Sequence, residues 1–287
     1  NATVELSQTT FIYDGTAKTP DVIVKLGKAT LTAGTDYEVD YKDNTNAGQA
    51  TVTVTGKKNY TGSKTVSFTI AQSATEFDGG VTVDKQDKTY TYGDTITVTV
   101  TPKATGEAPA NNALALAAPT AGQMAIYEGD RQLTEAKDVT SGSELTFTID
   151  TAEVNLGSGK HTLTAKFVES DNMAAQTGTV EVTVNLASIS EAKVTVSGGP
   201  FTYDGKPKTP TVTVELNGKP LSGGTDYKLS YENSNGGADN LTNAGMVTVT
   251  ATGKGNYTGT KTATFTIAQS ATEFDGGVTV DKKDKTY

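Results

Sequence analysis

The 287 residues contain no cysteine, no tryptophan and a single histidine. Without cysteine there is no disulfide, no thiolate metal site and no thiol nucleophile, so each folded unit must rest on its own core. The one imidazole, His161, has no second His or Cys to complete a zinc site or a nucleophilic relay, and reads as an ordinary strand residue. No apolar run approaches the length needed to span a membrane as a helix, which argues against direct membrane insertion. Cations are scarce as well: 24 Lys and Arg face 33 Asp and Glu, a net charge of -9. That balance disfavours nucleic acid and anionic membrane surfaces, whose phosphates demand clustered Lys and Arg. Asn1 begins no signal peptide, so export and anchoring signals are expected outside this stretch.

What the chain has is repetition. The run FTIAQSATEFDGGVTVDK at Phe68 recurs unbroken at Phe265, an offset of 197 residues. Tyr13-Asp14-Gly15 recurs as Tyr203-Asp204-Gly205 and Thr35-Asp36-Tyr37 as Thr225-Asp226-Tyr227, at an offset of 190. From Asn46-Ala47-Gly48 against Asn243-Ala244-Gly245 the offset is again 197, so 197 − 190 = 7 residues have entered the second copy within Ser234 to Leu241. Loops accept such insertions cheaply, because closure entropy grows only with the logarithm of length. Fixed-offset similarity marks tandem architecture, and the expected division is 1–72, 73–188, 189–269 and an opening strand of a further module at 270–287. The chain is therefore expected to be a window onto a longer array.

Apolar residues alternate with polar ones at period two, the pattern of half-buried strands. Val22, Val24 and Leu26 share one face, as do Val66, Phe68 and Ile70, Val98 and Val100, and Phe147 and Ile149. Roughly one residue in five or six is Thr, which suits the wet side of a pleated sheet. Val22, Phe68, Val98, Phe147, Phe167, Val214 and Phe265 are expected to point inward, because a one-residue slip would expose the whole apolar set. Asp14-Gly15, Asp78-Gly79-Gly80 and Asn217-Gly218 supply turn chemistry. The Ala-rich stretch Asn111 to Ala118 is expected to form a short helical turn or an irregular loop. The fold class is all-β: tandem immunoglobulin-like sandwiches or related units in series.

At this point the residues resemble known families. Tyr-Asp-Gly, Thr-Pro before a Val-rich strand, Gly-Thr-Asp-Tyr, Asn-Ala-Gly, Asn-Tyr-Thr-Gly and Phe-Thr-Ile follow one another in both outer modules. This ordered set resembles the YDG or MBG-type repeats of bacterial surface proteins. The middle module, with Tyr90-Thr91-Tyr92-Gly93-Asp94 and Leu156-Gly157-Ser158-Gly159-Lys160-His161, is similar to group 3 bacterial immunoglobulin-like domains. It departs from them at Val168-Glu169-Ser170-Asp171, where relatives carry a Gly-Asp turn, and in its Ala-rich insertion. The resemblance implies stalk or adhesin modules at a bacterial cell surface or wall, and it transfers no catalytic residues.

The recurring residues Tyr13, Asp14, Gly15, Asp36, Tyr37 and Tyr60, with Tyr203, Asp204, Gly205, Asp226, Tyr227 and Tyr257, are expected to be structural: rings covering sheet ends, hydroxyls reaching backbone or water. A glycan-stacking platform is the alternative use of the same rings. Acidic groups near Glu76, Asp78, Asp84 and Asp87, and near Glu169, Asp171 and Asn172, offer oxygens at the junctions. Calcium requires about 6 to 8 oxygens and a suitable loop, and no DxDxDG-like segment exists, so neither metal nor cofactor is expected. The sequons at Asn59, Asn240 and Asn256 read as incidental in a bacterial chain. Lysine isopeptide crosslinks would suit a cysteine-free stalk, but no pair is identified by the sequence.

No nucleophile, base and oxyanion donor can be nominated together, so the expectation is not an enzyme. The leading expectation is a structural stalk that holds a distal domain away from the cell. Modules of roughly 30 to 40 Å would give a rod on the order of 100 Å in series, because strands rise about 3.3 Å per residue. The crossings at Ala71 to Thr75 and Asn185 to Ser190 lack Pro and Gly runs and do not read as flexible tethers. The alternative is an adhesin module that meets a host protein or glycan through Ser234 to Leu241 or Ala104 to Ala121. Partners expected are neighbouring modules, and chain-to-chain pairing through 270–287 follows if that stretch has no module of its own.

Overall fold

In a computed structural model, residues 2–105, 122–139, 142–168 and 170–271 are described. The Ala-rich stretch Asn111 to Ala118, Glu169 and the valines Val278 and Val280 lie outside them. The chain divides into two compact units, 1–185 and 186–287. The described residues contain strands and no helix, so the architecture is all-β.

The first unit holds two sandwiches. In the first, Val22–Leu26 lies between Ala2–Leu6 and Ala29–Thr30 in a three-stranded sheet. A four-stranded sheet faces it, in the order Thr10–Ile12, Ser63–Ala71, Gly48–Gly56, Tyr37–Lys42. The period-two pattern explains the core. Ala50, Val52 and Val54 are buried while the intervening Thr51 and Thr53 are only half-covered, and Phe68 is buried edge-on against Phe11, the ring centroids 5.3 Å apart. Val24 is buried as expected, Val22 is half-buried, and Leu26 on the same face is exposed.

The second sandwich sets a sheet of Leu145–Asp150, Thr95–Ala104 and Thr75–Val83 against a six-stranded sheet. The larger sheet includes Gly122–Glu128, Gly159–Phe167 and Gln176–Asn185 with Thr89–Thr91 parallel at its edge. One apolar cluster fills the space, including Tyr90, Val98, Ile126, Phe147, Leu163 and Phe167. Burial of the inward residues at about 25 cal/mol per Å² is the stabilising term that stands in for disulfides.

The second unit repeats the first sandwich at the expected offsets. Val194 pairs with Val214 as Val4 pairs with Val24, and Ala47's counterpart Ala244 precedes the strand Gly245–Gly253. Phe265 is half-buried, not enclosed like Phe68, and tilts against Phe201 at 5.3 Å. The seven-residue insertion adds a short strand, Gly237–Ala238, on Glu232 and Asn233. The unit also recruits Ala187 and Ser188, which repeat arithmetic placed at the end of the middle module: they pair in parallel with Tyr257 and Thr258.

Candidate functional site

Within 1–185 the two sandwiches meet at a polar joint built on Asn172. The turn Ser170 to Met173 closes on itself through Ser170 N–H to the Met173 carbonyl at 3.0 Å and Met173 N–H to Ser170 Oγ at 3.1 Å. This projects Asn172 out of the second sandwich, where it is 3% exposed. Its Oδ1 accepts the Ala47 N–H at 2.8 Å and its Nδ2 donates to Asn46 Oδ1 at 3.3 Å, both in the first sandwich. The crossing segment is fixed to the same turn. Ser73 N–H donates to the Asn172 carbonyl at 3.0 Å, Ala174 N–H to the Ser73 carbonyl at 2.9 Å, and Gln72 Nε2 to the Ser170 carbonyl at 2.8 Å. A buried amide with every bond made is worth about 1 kcal/mol per bond, and a bond left unmade costs more.

This joint directly follows Val168 and includes the Ser170-Asp171 turn of the middle module. Asn172, weighed with nearby acidic residues as an oxygen source and not expected to bind a metal, has its side chain committed to the neighbouring module. Asp171 beside it is exposed. Asp84 accepts the Tyr90 hydroxyl at 2.7 Å and the Thr97 N–H at 2.9 Å, so it braces the second sandwich internally. Burial and the Asp84 carboxylate push the Tyr90 phenol well above its ordinary 10.0. Among the described residues no group of three or more His, Cys, Asp or Glu gathers to hold a metal. His161 places Nδ1 2.6 Å from Glu128 Oε1 and Nε2 2.7 Å from the Gly157 carbonyl, within its own sandwich.

The recurring tyrosine motifs divide into two roles. Asp36 and Asp226 each accept the N–H of the residue four earlier, Thr32 and Ser222, at 2.8 Å, which fixes the turn that delivers Tyr37 and Tyr227 to the core. The Tyr37 hydroxyl donates to the Val22 carbonyl at 2.9 Å and ties the two sheets together. Tyr60 and Tyr257 are half-buried, each with its N–H on a lysine carbonyl three residues back, Lys57 or Lys254. Gly15 and Gly205 take φ values of 79° and 77°, a left-handed turn that costs glycine little.

The Tyr-Asp-Gly copies differ in surroundings. Tyr13 is 5% exposed and its counterpart Tyr203 is 42% exposed. Asp14 is buried with Lys18, whose Nζ lies 2.5 Å from Oδ1, whereas the Asp204 side chain in the matching pair with Lys208 is mostly open. Beside Tyr203 runs a cleft of about 410 Å³ lined by Asn235, Asn243, Ala244, Gln269 and Ser270. Four of these are the counterparts of Asn46, Ala47, Gln72 and Ser73, the residues that grip the Asn172 turn.

No protein-family model matches the chain, and no curated protein matches it. Among solved structures, the chain is similar to domains 4–9 of the surface-layer protein SbsC, with 16% identity over 94% of this chain and 47% of that one, TM-score 0.25. It is similar to the E. coli α2-macroglobulin at 8% identity, covering 93% of this chain and 23% of that one, TM-score 0.30. The insect immune protein hemolin aligns at 13% identity over 94% and 76% of the two chains, TM-score 0.31. The chain thus spans less than half the length of the first two. At these scores the likenesses carry no functional argument, and the fold stands on the strands themselves.

Proposed function

We propose that the chain is a non-catalytic spacer segment of a bacterial cell-surface or wall-associated repeat protein, which projects a distal functional domain. The observation that carries this reading is the Asn172 joint. Two modules that could have been tethered by a loose crossing are locked by hydrogen bonds from Gln72, Ser73 and Asn172, so thermal bending between them is opposed by bonds that must break together. Stiffness between modules is what a projecting element requires and what a catalyst does not. The Thr-rich, acidic surface, with a net charge of -9, keeps repeated modules soluble and mutually repelling.

Small-angle scattering tests the reading. A compact particle of this length has a radius of gyration of about 19 Å, from the size scaling of single globules. A spacer of roughly 100 Å has one near 30 Å, and a value close to 19 Å defeats the proposal.

A second reading, recognition of a host protein or glycan, has one observation in its favour. The insertion from Ser234 to Leu241 is an ordered hairpin beside the exposed Tyr203 ring. Four cleft residues match the residues of the Asn172 joint, which suits a module contact better and places the spacer reading first. Saturable glycan or host-protein binding that Tyr203→Ala abolishes would reverse that order.

A further inference from the structure

The first sandwich carries a groove of about 700 Å³ between the edge of the sheet at Ala2–Leu6 and the turn Asn59 to Gly62. Its apolar wall is formed by Val4, Val24, Leu26, Leu31, Val54 and Tyr60. Leu26 there is 42% exposed, a cost that a closed core would remove.

The third module shows what such a groove holds. Its counterparts of these wall residues, at offsets of 190 and 197, are Val194, Val214, Leu216, Leu221, Ala251 and Tyr257, and all belong to one cluster around Ile189. Ile189 is 0% exposed. It arrives on an extended segment whose Ala187 N–H donates to the Asn256 carbonyl at 3.0 Å and whose Ile189 N–H donates to the Thr258 carbonyl at 2.9 Å. Asn256 and Thr258 are the counterparts of Asn59 and Thr61. Lys261 Nζ secures the Ser190 carbonyl at 2.8 Å, while its counterpart Lys64 reaches the Ala2 carbonyl at 3.0 Å. Counting back 190 residues, Glu191 matches Asn1, so the segment Leu186 to Ser190 matches positions that would precede residue 1.

We infer that the groove of the first module is a strand-acceptor site for an inter-module linker of the Leu186 to Ser190 type, supplied by the same polypeptide ahead of residue 1. Main-chain bonds to the Asn59 and Thr61 carbonyls give the docking, and a branched apolar side chain two residues ahead of the position matching Asn1 plugs the pocket. This is β-augmentation, in which backbone pairing gives affinity and one pocket gives specificity. The inference does not rest on the spacer reading, because a compact particle in scattering would leave the groove and its occupant untouched.

The test compares the full chain with the same chain extended by Leu-Ala-Ser-Ile-Ser before Asn1, and with an extension whose isoleucine is replaced by aspartate. Thermal unfolding and amide hydrogen exchange of the first module are the readouts. The isoleucine extension is expected to raise the melting midpoint of that module by about 5 °C or more, the scale of burying one branched side chain in a domain of this size. Exchange across Asn59 to Lys64 should slow with it, and the aspartate extension should do neither. The chain carrying Ile189→Asp is an internal control, since it should unfold the third module while leaving the first unchanged. Equal midpoints for the isoleucine and aspartate extensions overturn the inference. A shift produced by the free peptide but not by the extension assigns the groove to another chain and overturns the same-polypeptide source.

Discussion

The Asn172 side chain accepts the Ala47 N–H at 2.8 Å across two separate hydrophobic cores, 125 residues apart in sequence. One primary amide thereby satisfies a backbone donor in one module and an acceptor, Asn46 Oδ1, in the same module. Asn172 itself is buried, while Asn46 is exposed and Ala47 half-covered.

Asn172→Ala should therefore cost about 0.5 to 1.5 kcal/mol of the coupling between the two sandwiches for each bond it removes, the net worth of a hydrogen bond between partly covered groups. Asn172→Asp keeps the acceptor for Ala47 and turns an oxygen toward Asn46 Oδ1, so it should also weaken the joint. The expected outcome in calorimetry is that the transitions of the first and middle sandwiches lie further apart in the variants than in the parent. Unaltered transitions in both variants would show that the joint contributes nothing.

Gly56 and Gly253 lie where the inner strand passes the Tyr60 and Tyr257 turns. A Cβ on Gly56 would stand 2.8 Å from the Tyr60 carbonyl carbon, and one on Gly253 2.6 Å from the Thr258 amide nitrogen. Backbone cannot yield as a flexible side chain does. Gly56→Ala should lower the stability of the first module by about 1 to 3 kcal/mol, the usual cost of overpacking. The check is urea unfolding, in which an unchanged midpoint for Gly56→Ala would defeat the expectation.

Tyr37→Phe removes the hydroxyl that donates to the Val22 carbonyl, and Tyr41→Phe the one that donates to the Pro20 carbonyl at 2.7 Å. Each should cost about 0.5 to 1.5 kcal/mol while the ring stays in place. Loss of both should be close to additive if the two bonds act independently, which a double-mutant cycle measures.

Acid should unfold the chain. Burial alone would raise the carboxyls of Asp14, Asp84 and Asp94 above their ordinary 3.8, and that of Glu128 above 4.5. Hydrogen bonds outweigh it: from Lys18 and Thr16 to Asp14, from Thr97 and Tyr90 to Asp84, from Lys85 to Asp94, and from His161 and Arg131 to Glu128. All four are held below their ordinary values. The unfolded chain then binds more protons, so these groups stabilise fully above the ordinary values and lose that contribution as pH falls through the lowered folded ones. The melting midpoint should be insensitive to these groups above about pH 5 and drop below pH 3.8. Asp14→Asn should flatten part of that acid limb, and an unchanged limb would remove Asp14 from the account.

Much of the fold was legible because strand alternation is local. Val98, Phe147, Phe167 and Val214 are buried where period two put them, and the offsets of 190 and 197 predicted which residues would occupy equivalent places in the outer modules. Burial of a given ring was less legible, because it depends on what arrives from elsewhere: Tyr13 and Tyr203 share a motif and differ in exposure through their surroundings. The role of Asn172 was not legible, because a lone amide says nothing about which donor it will meet.

The sequence by itself determined the modules, their strands and the inward face of each, since these follow from the two-residue period and from residues close in the chain. Only the tertiary structure decided that Asn172 would bind Ala47 and that Ile189 would fill the third module's sheet edge. Those contacts join segments tens to more than a hundred residues apart, where loop closure and packing, not local periodicity, select the partner.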